Sequence, residues 1–249
     1  MALVWHKTVA GTRYEVRRAG NSVRLFTDGI FHSQWNSVNP IGGQLWELLF
    51  LPVMFHSRPL ALKKVLVLGV GGGAVINLLN QYCKPQNIIG VELDKTHIQI
   101  AKRWFNAHQS NTTYEHADAE SWVKARQNLK FDLIIEDLFK SDGDCEPVRA
   151  IDANQAWLSS LDRMLNKDGL LVMNFESIKQ ARKSWSSSLK NMNFTQGRIF
   201  NSIKYDNAIG IFGRQKLNMA EFKQNLSIFP DLDMRRLSCK LDFKCRVLS

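Results

Sequence analysis

VLVLGVGGGA, residues 65 to 74, is an apolar strand that runs into a glycine-rich turn and opens a helix. Glycines accept the positive φ such a turn needs, they let a ligand approach the backbone, and the helix start offers unpaired N–H groups. Alone, the pattern describes a tight strand-to-helix turn equally well. The next apolar strand, Ile88 to Glu92, ends in a carboxylate. An acidic residue there can accept hydrogen bonds from ribose hydroxyls, so turn and Glu92 together read as a nucleoside site.

Outward from that turn, residues 64 to 175 alternate strand and helix, which predicts a mostly parallel sheet covered on both faces. The strands are Val65 to Leu68, Ile88 to Glu92, Thr112 to Glu115, Phe131 to Asp137 and Leu170 to Phe175. Helices are expected from near Ala74, Lys95, Ala119 and Asp152, then from Ile178 to Asn191. Phe194 to Phe200 and Asn207 to Phe212 read as an antiparallel pair that completes a doubly wound, seven-stranded α/β sheet. Upstream, Arg13 to Arg18 and Val23 to Phe26 alternate around Ala19-Gly20-Asn21 and read as a β-hairpin. Residues 42 to 55 then have helical spacing up to the break at Pro59. Three parts follow: a β segment with its bridging helix over 1–60, the main domain over 61–214, and a basic tail over 215–249 with a short helix from Met219 to Leu226 and irregular structure beyond.

Two more acidic residues fall where open α/β sheets bind ligands. Asp118 follows the third strand, beside Ala119, and Asp137 ends the fourth. Such a residue alone is more often a helix cap or a solvated loop charge. Three consecutive acidic strand ends favour a site, and their charge suits a cationic sulfonium better than a pyrophosphate. A nicotinamide dehydrogenase is the distant alternative.

The 249-residue chain is 45% apolar and carries a formal charge of +10. Residues 64 to 150 hold ten basic and eleven acidic side chains, so the positive excess lies in the flanks. A basic rim draws an anionic macromolecular partner, or it is only a solvated surface, since no basic run carries interleaved aromatics. With no apolar run long enough to span a bilayer and no signal-peptide core, the expectation is a cytoplasmic protein with no membrane contact. Cys83, Cys145, Cys239 and Cys245 form no CxxC pair, which predicts reduced thiols rather than a disulfide frame. His32, His56, His97, His108 and His116 show no metal spacing, and His97 reads as a surface or packing residue. Trp35, Trp46 and Trp157 are candidates for a pocket wall or for plain burial.

VLVLGVGGGA, GVELD, HADAESW, FDLIIEDLFKSDGD and LNKDGLLVMNF together resemble the spermidine synthase branch of the class I S-adenosylmethionine-dependent methyltransferase superfamily. The resemblance runs from about residue 11 to residue 213, and LFTDGIFHSQ resembles the segment preceding that domain. It implies a Rossmann-like methyltransferase sheet. It also implies Gly69, Gly71 and Gly73 in the cofactor loop, Glu92 with Leu93 at the ribose, Asp118 with Ala119 at the adenine, Gln34 as a further cofactor contact, and Asp137 facing the reacting group. The cofactor implied is S-adenosylmethionine or its decarboxylated form, and homodimerisation is implied by analogy of fold alone. Two departures matter. Gly72 stands where the family's GGGDGG loop has aspartate, and Leu138, Phe139, Lys140 and Ser141 replace its serine pair, second aspartate and proline. These departures favour a methyltransferase of unknown acceptor over a polyamine aminopropyltransferase; a catalytically silent nucleoside-binding scaffold is the third reading.

Overall fold

The computed structural model of the chain describes residues 1–142 and 145–248. Strands β1 (Ala2–Val9), β2 (Thr12–Ala19), β3 (Ser22–Thr27) and β4 (Ile30–Asn36) form an antiparallel sheet in chain order. The expected hairpin is therefore the middle of a four-stranded sheet. β1 is exposed along nearly its whole length, so its sequence carries no alternation to announce it. Tyr14, Val16, Val23 and Leu25 bury the inner face. Helix α1 (Leu45–Phe50) passes into a 3-10 turn over Leu51–Phe55, since Pro52 cannot donate the N–H that a longer α-helix would require.

The main domain continues as β5 (Lys64–Leu68), α2 (Ala74–Tyr82), β6 (Asn87–Glu92), α3 (Lys95–Trp104), β7 (Thr112–His116), α4 (Ala119–Ala125) and β8 (Phe131–Glu136). A hairpin follows, β9 (Phe139–Asp142) and β10 (Cys145–Arg149), then α5 (Gln155–Arg163), β11 (Leu165–Phe175), α6 (Ile178–Ser187), β12 (Gln196–Ser202) and β13 (Ala208–Gly213). The chain closes with α7 (Met219–Ser227), α8 (Met234–Leu241) and β14 (Phe243–Leu248). Helix α5 starts later than expected because Asn154, not Asp152, caps it, accepting the Trp157 N–H at 3.0 Å.

The large sheet has eight strands, in the order β14-β12-β13-β11-β8-β5-β6-β7. β11, β8, β5, β6 and β7 run parallel, while β13, β12 and β14 add antiparallel pairs. The eighth strand comes from the tail, where an irregular segment was expected. FKCRVL pairs along β12 from Ser202↔Phe243 to Gly197↔Leu248, an edge strand in which Lys244 and Arg246 alternate with Phe243, Cys245 and Val247, a short period that the sequence reading passed over. In β5, Val65, Leu66, Val67 and Leu68 are each at most 1% exposed, as a strand covered on both faces must be. Each contributes roughly 1.5–3 kcal/mol of burial.

Strand order reverses at β5, which has β8 on one side and β6 on the other. At such a switch point the connections leave to opposite faces and open a crevice beyond the strands' carboxyl ends. The N-terminal sheet is pinned over that crevice. Tyr14 donates to Asp94 Oδ2 at 2.6 Å, and Thr27 Oγ1 lies 2.8 Å from His97 Nε2. Among the described residues no helix is long and apolar enough to cross a membrane. Cys83, Cys239 and Cys245 are unpaired, and burial pushes the Cys83 thiol up to about 12, which leaves it unreactive near neutral pH.

Candidate functional site

A cleft of about 590 Å³ occupies the crevice. Its floor is the turn after β5. Gly69 has φ +83°, and a Cβ there would stand 2.1 Å from the carbonyl oxygen of Asp137, so only glycine lets the two strand ends meet. Gly71, with φ +53°, lies beneath the His32 carbonyl, which a Cβ would approach to 3.1 Å. Gly73 differs from the expectation drawn for it. It does not line the cleft, and a Cβ there would meet that of Ala107 at 2.7 Å, so it serves close packing of α2.

Glu92, at the end of β6, is 9% exposed. Its Oε2 accepts the Val70 and Gly71 amides at 2.8 and 2.9 Å, and Oε1 accepts the Asp94 amide at 2.9 Å. A carboxylate offers about four lone-pair directions, so roughly one remains for a ligand hydroxyl rather than the two hydroxyls expected from sequence. The same bonds occupy the Val70 and Gly71 amides, which a phosphate would otherwise use. A pyrophosphate-led cofactor would have to displace a buried carboxylate, which argues against a dinucleotide.

Leu93, Asp118 and Ala119 line the cleft beyond Glu92. Asp118 caps α4, accepting the Ser121 N–H at 2.9 Å, a bond that holds its carboxyl below the ordinary aspartate range. Cap and cleft wall are thus one residue. Gln34 is not on the cleft. It pairs with Arg24 across β3 and β4 and accepts from Arg24 Nε at 2.5 Å, which turns it towards the outer face of the N-terminal sheet. From β4 the cleft receives Ile30, Phe31 and His32 instead.

The second wall descends from β8 and β11. Asp137 accepts from Asn174 Nδ2 at 2.7 Å, and Asn174 Oδ1 accepts from Asn207 Nδ2 at 3.1 Å, a chain that fixes the carboxylate's orientation. Loss of water, reinforced by Glu136 and Glu92, raises its pKa to about 6 despite the Asn174 bond and Arg149. Glu176 and Asp206 line the same cleft, as do Phe31, Trp46 and Phe139. Beneath it lies a fully buried ion pair. Arg149, from β10, donates to both Glu136 oxygens at 2.7 and 2.9 Å, to the Asn174 carbonyl, and through its main-chain N–H to Glu176 Oε1 at 2.8 Å.

Several of these groups escaped the sequence reading. His97 takes the packing alternative: it is buried, with its ring 5.1 Å from that of His32 and its Nδ1 4.0 Å from Glu92 Oε1, a place on the cleft that spacing did not show. Burial first, and His97 second, push His32 down to about 4, so it stays neutral. Asn174 carried one legible signal, a lone amide in the apolar run LLVMNF. Of the three tryptophans, Trp46 lines the cleft; Trp157 is buried with Nε1 3.4 Å from Glu136 Oε1, and Trp35 packs on the core.

Doubly wound topology, a glycine turn at the switch point and carboxylates at the flanking strand ends define a fold of the Rossmann-like methyltransferase class. The chain belongs to the spermine/spermidine synthase domain family, which matches residues 47–205. It is 29% identical over 125 residues to a polyamine aminopropyltransferase of Vibrio vulnificus, covering 49% of this chain and 40% of that protein. It is 28% identical over 135 residues to the mouse protein named eEF1A lysine and N-terminal methyltransferase, covering 51% of this chain and 19% of that one. The chain thus spans less than half the length of either. A spermidine synthase solved with the transition-state analogue AdoDATO superposes with a TM-score of 0.71 at 15% identity, over 97% of this chain and 88% of that one, a likeness of fold.

Gly72 leaves no room for a side chain as its neighbours stand. A Cβ there would stand 2.7 Å from both the Phe105 ring and the Ser33 Cβ. Gly72→Asp is therefore expected to destabilise the protein by about 1–3 kcal/mol through overpacking, measured by urea unfolding. A variant as stable as its parent would mean that Phe105 moves aside freely.

Proposed function

We propose that this chain transfers a methyl group from S-adenosylmethionine to an amine nitrogen. The observation that carries the reading is a single cleft in which Glu92, anchored on the glycine-loop amides, faces the oriented carboxylate of Asp137 across the switch point. The fit rests on the donor set: a nucleoside end with one carboxylate, two loop amides already taken by that carboxylate, and anionic walls suited to a cation. When bound, S-adenosylmethionine supplies an electrophilic methyl carbon on a positively charged sulfur.

The chain's own residues supply the rest. Glu92 holds a ribose hydroxyl, and Asp118 with the Ala119 amide borders the base. Asp137, ionised for the most part at neutral pH, accepts a proton from the acceptor nitrogen. The Asn174–Asn207 chain keeps its Oδ1 occupied and its position fixed. Phe31, Trp46 and Phe139 exclude water and line up the nucleophile, and such positioning is the larger share of catalysis in a displacement at carbon. A second reading, aminopropyl transfer from the decarboxylated donor, draws support from three carboxylates on the acceptor wall, Asp137, Glu176 and Asp206, which suit a polyamine.

Calorimetric titration with S-adenosylmethionine, its decarboxylated form, methylthioadenosine and NAD tests both readings. Binding of the carboxylated sulfonium in preference to the other three supports methyl transfer; preference for the decarboxylated form supports the second reading; binding of none sinks both. Glu92→Ala is expected to weaken methylthioadenosine binding by about 1–3 kcal/mol, the loss of a charged hydrogen-bond partner. Unchanged affinity in the folded variant would remove Glu92 from the ribose.

A further inference from the structure

The charges lining the cleft are lopsided. Six carboxylates, Glu92, Asp118, Glu120, Asp137, Glu176 and Asp206, lie on its walls, whereas among the described lining residues Lys140 is the only lysine or arginine. His32 does not add a charge, because burial holds it neutral. Such a wall attracts the sulfonium and the amino group of a donor, and it repels a carboxylate. S-adenosylmethionine and its decarboxylated form share the first two groups and differ in the third. Discrimination between them therefore falls on whatever cation the cleft provides.

We propose that Lys140 is that cation: it selects the carboxylated donor by pairing with its α-carboxylate. The inference rests on the nucleoside reading given under Proposed function and deepens it. Lys140 sits on β9, which follows the Asp137 strand end directly. The backbone beneath it is held by β10, in register Lys140↔Val148 and Phe139↔Arg149, and by the Ala150 N–H donating to Leu138 O at 2.8 Å. β10 in turn is anchored by the buried Arg149–Glu136 pair, with side chains 1% and 0% exposed. A long exposed side chain is thus carried on a strand fixed at its base. Its ammonium can swing to a carboxylate at the cleft mouth while its stem remains over the wall.

Substitution at Lys140 combined with three probes tests this. Lys140→Met keeps the stem and removes the charge; Lys140→Glu reverses it. Calorimetry of each protein with S-adenosylmethionine, decarboxylated S-adenosylmethionine and methylthioadenosine gives the ratio of affinities for the two sulfonium donors, with a probe that lacks the amino-acid tail as control. The parent is expected to favour the carboxylated donor. Lys140→Met should lower that preference roughly fivefold, a magnitude ordinary for a partly exposed ion pair, and Lys140→Glu should reverse it. Methylthioadenosine affinity should stay the same in all three proteins. A preference that is unchanged in Lys140→Met while methylthioadenosine still binds would overturn the role of Lys140 and leave the nucleoside site standing. Failure of the parent to bind methylthioadenosine would overturn the nucleoside reading, and the inference with it.

Discussion

Arg149→Met is expected to lower the free energy of unfolding by about 3–5 kcal/mol, measured by urea denaturation. The size follows from what the substitution leaves behind. Glu136 is 0% exposed, and its two oxygens are held by the guanidinium at 2.7 and 2.9 Å. Among the described residues, only the Trp157 Nε1–H, at 3.4 Å, remains as a side-chain partner once the arginine is gone. A methionine of similar reach fills the space above Phe175 but leaves a carboxylate without its countercharge in a medium that solvates it poorly. Adding Glu136→Leu to Arg149→Met should recover much of the loss, because an apolar pair does not carry the desolvation penalty. Recovery would show that the cost comes from the orphaned charge. Retention of parental stability by Arg149→Met would show that the pair is hydrated in solution. The pair also does architectural work, since it joins β8, β10 and β11 beneath Asp137 and so sets the wall on which an acceptor would rest.

Legibility differs between the two halves of the cleft for a physical reason. The strand ends were the readable part: a parallel strand buried on both faces announces itself as an apolar run whose last residue is easily found, which is how Gly69, Glu92 and Asp137 were read, while Asp118 was read from its place after the more polar third strand. Each then proved to hold a local bond that spacing cannot show, such as Glu92 on the loop amides and Asp118 as a helix cap. The wall around Asn174 and Arg149 depends on pairings between distant segments. Asn174 gains meaning only when β11 lies beside β8, and Asn207 only when the chain returns at the start of β13. Arg149 and Glu136 are an unremarkable pair of charges until the β9–β10 hairpin folds one over the other. Gln34 was misplaced for the same cause, because a register of β3 against β4 decides which face it joins, and one residue of shift reverses the outcome. Strand β1 was missed because an edge strand exposed along nearly its whole length leaves no alternating trace, and β14 because its alternation, from Phe243 to Val247, spans only five residues.

Asp137→Asn is expected to reduce turnover by about 10²–10⁴-fold while leaving methylthioadenosine affinity unchanged, if the carboxylate accepts the acceptor's proton. The substitution is conservative in shape, and the amide oxygen can still accept from Asn174 Nδ2, so the wall should remain in place. The pH dependence separates the roles. With its pKa raised to about 6, chiefly by loss of water, Asp137 is protonated below that value and cannot accept a proton. The parent's kcat/KM should therefore fall as pH drops through about 6, and the residual activity of Asp137→Asn should lack that limb. Stability should move the opposite way. An acid whose folded pKa exceeds its unfolded value of 3.8 favours folding at low pH; that advantage is lost as pH rises from about 4 to about 6. Above this window the parent bears the full penalty of a desolvated charge, up to about 3 kcal/mol, and the asparagine variant does not. Asp137→Asn should accordingly be the more stable protein at pH 7 and indistinguishable from the parent below pH 4. A variant that is less active and more stable at neutral pH identifies a charge kept for chemistry at the expense of the fold. One that is fully active would place proton transfer elsewhere, and one that is less stable at neutral pH would mean that the carboxylate is there to hold Asn174.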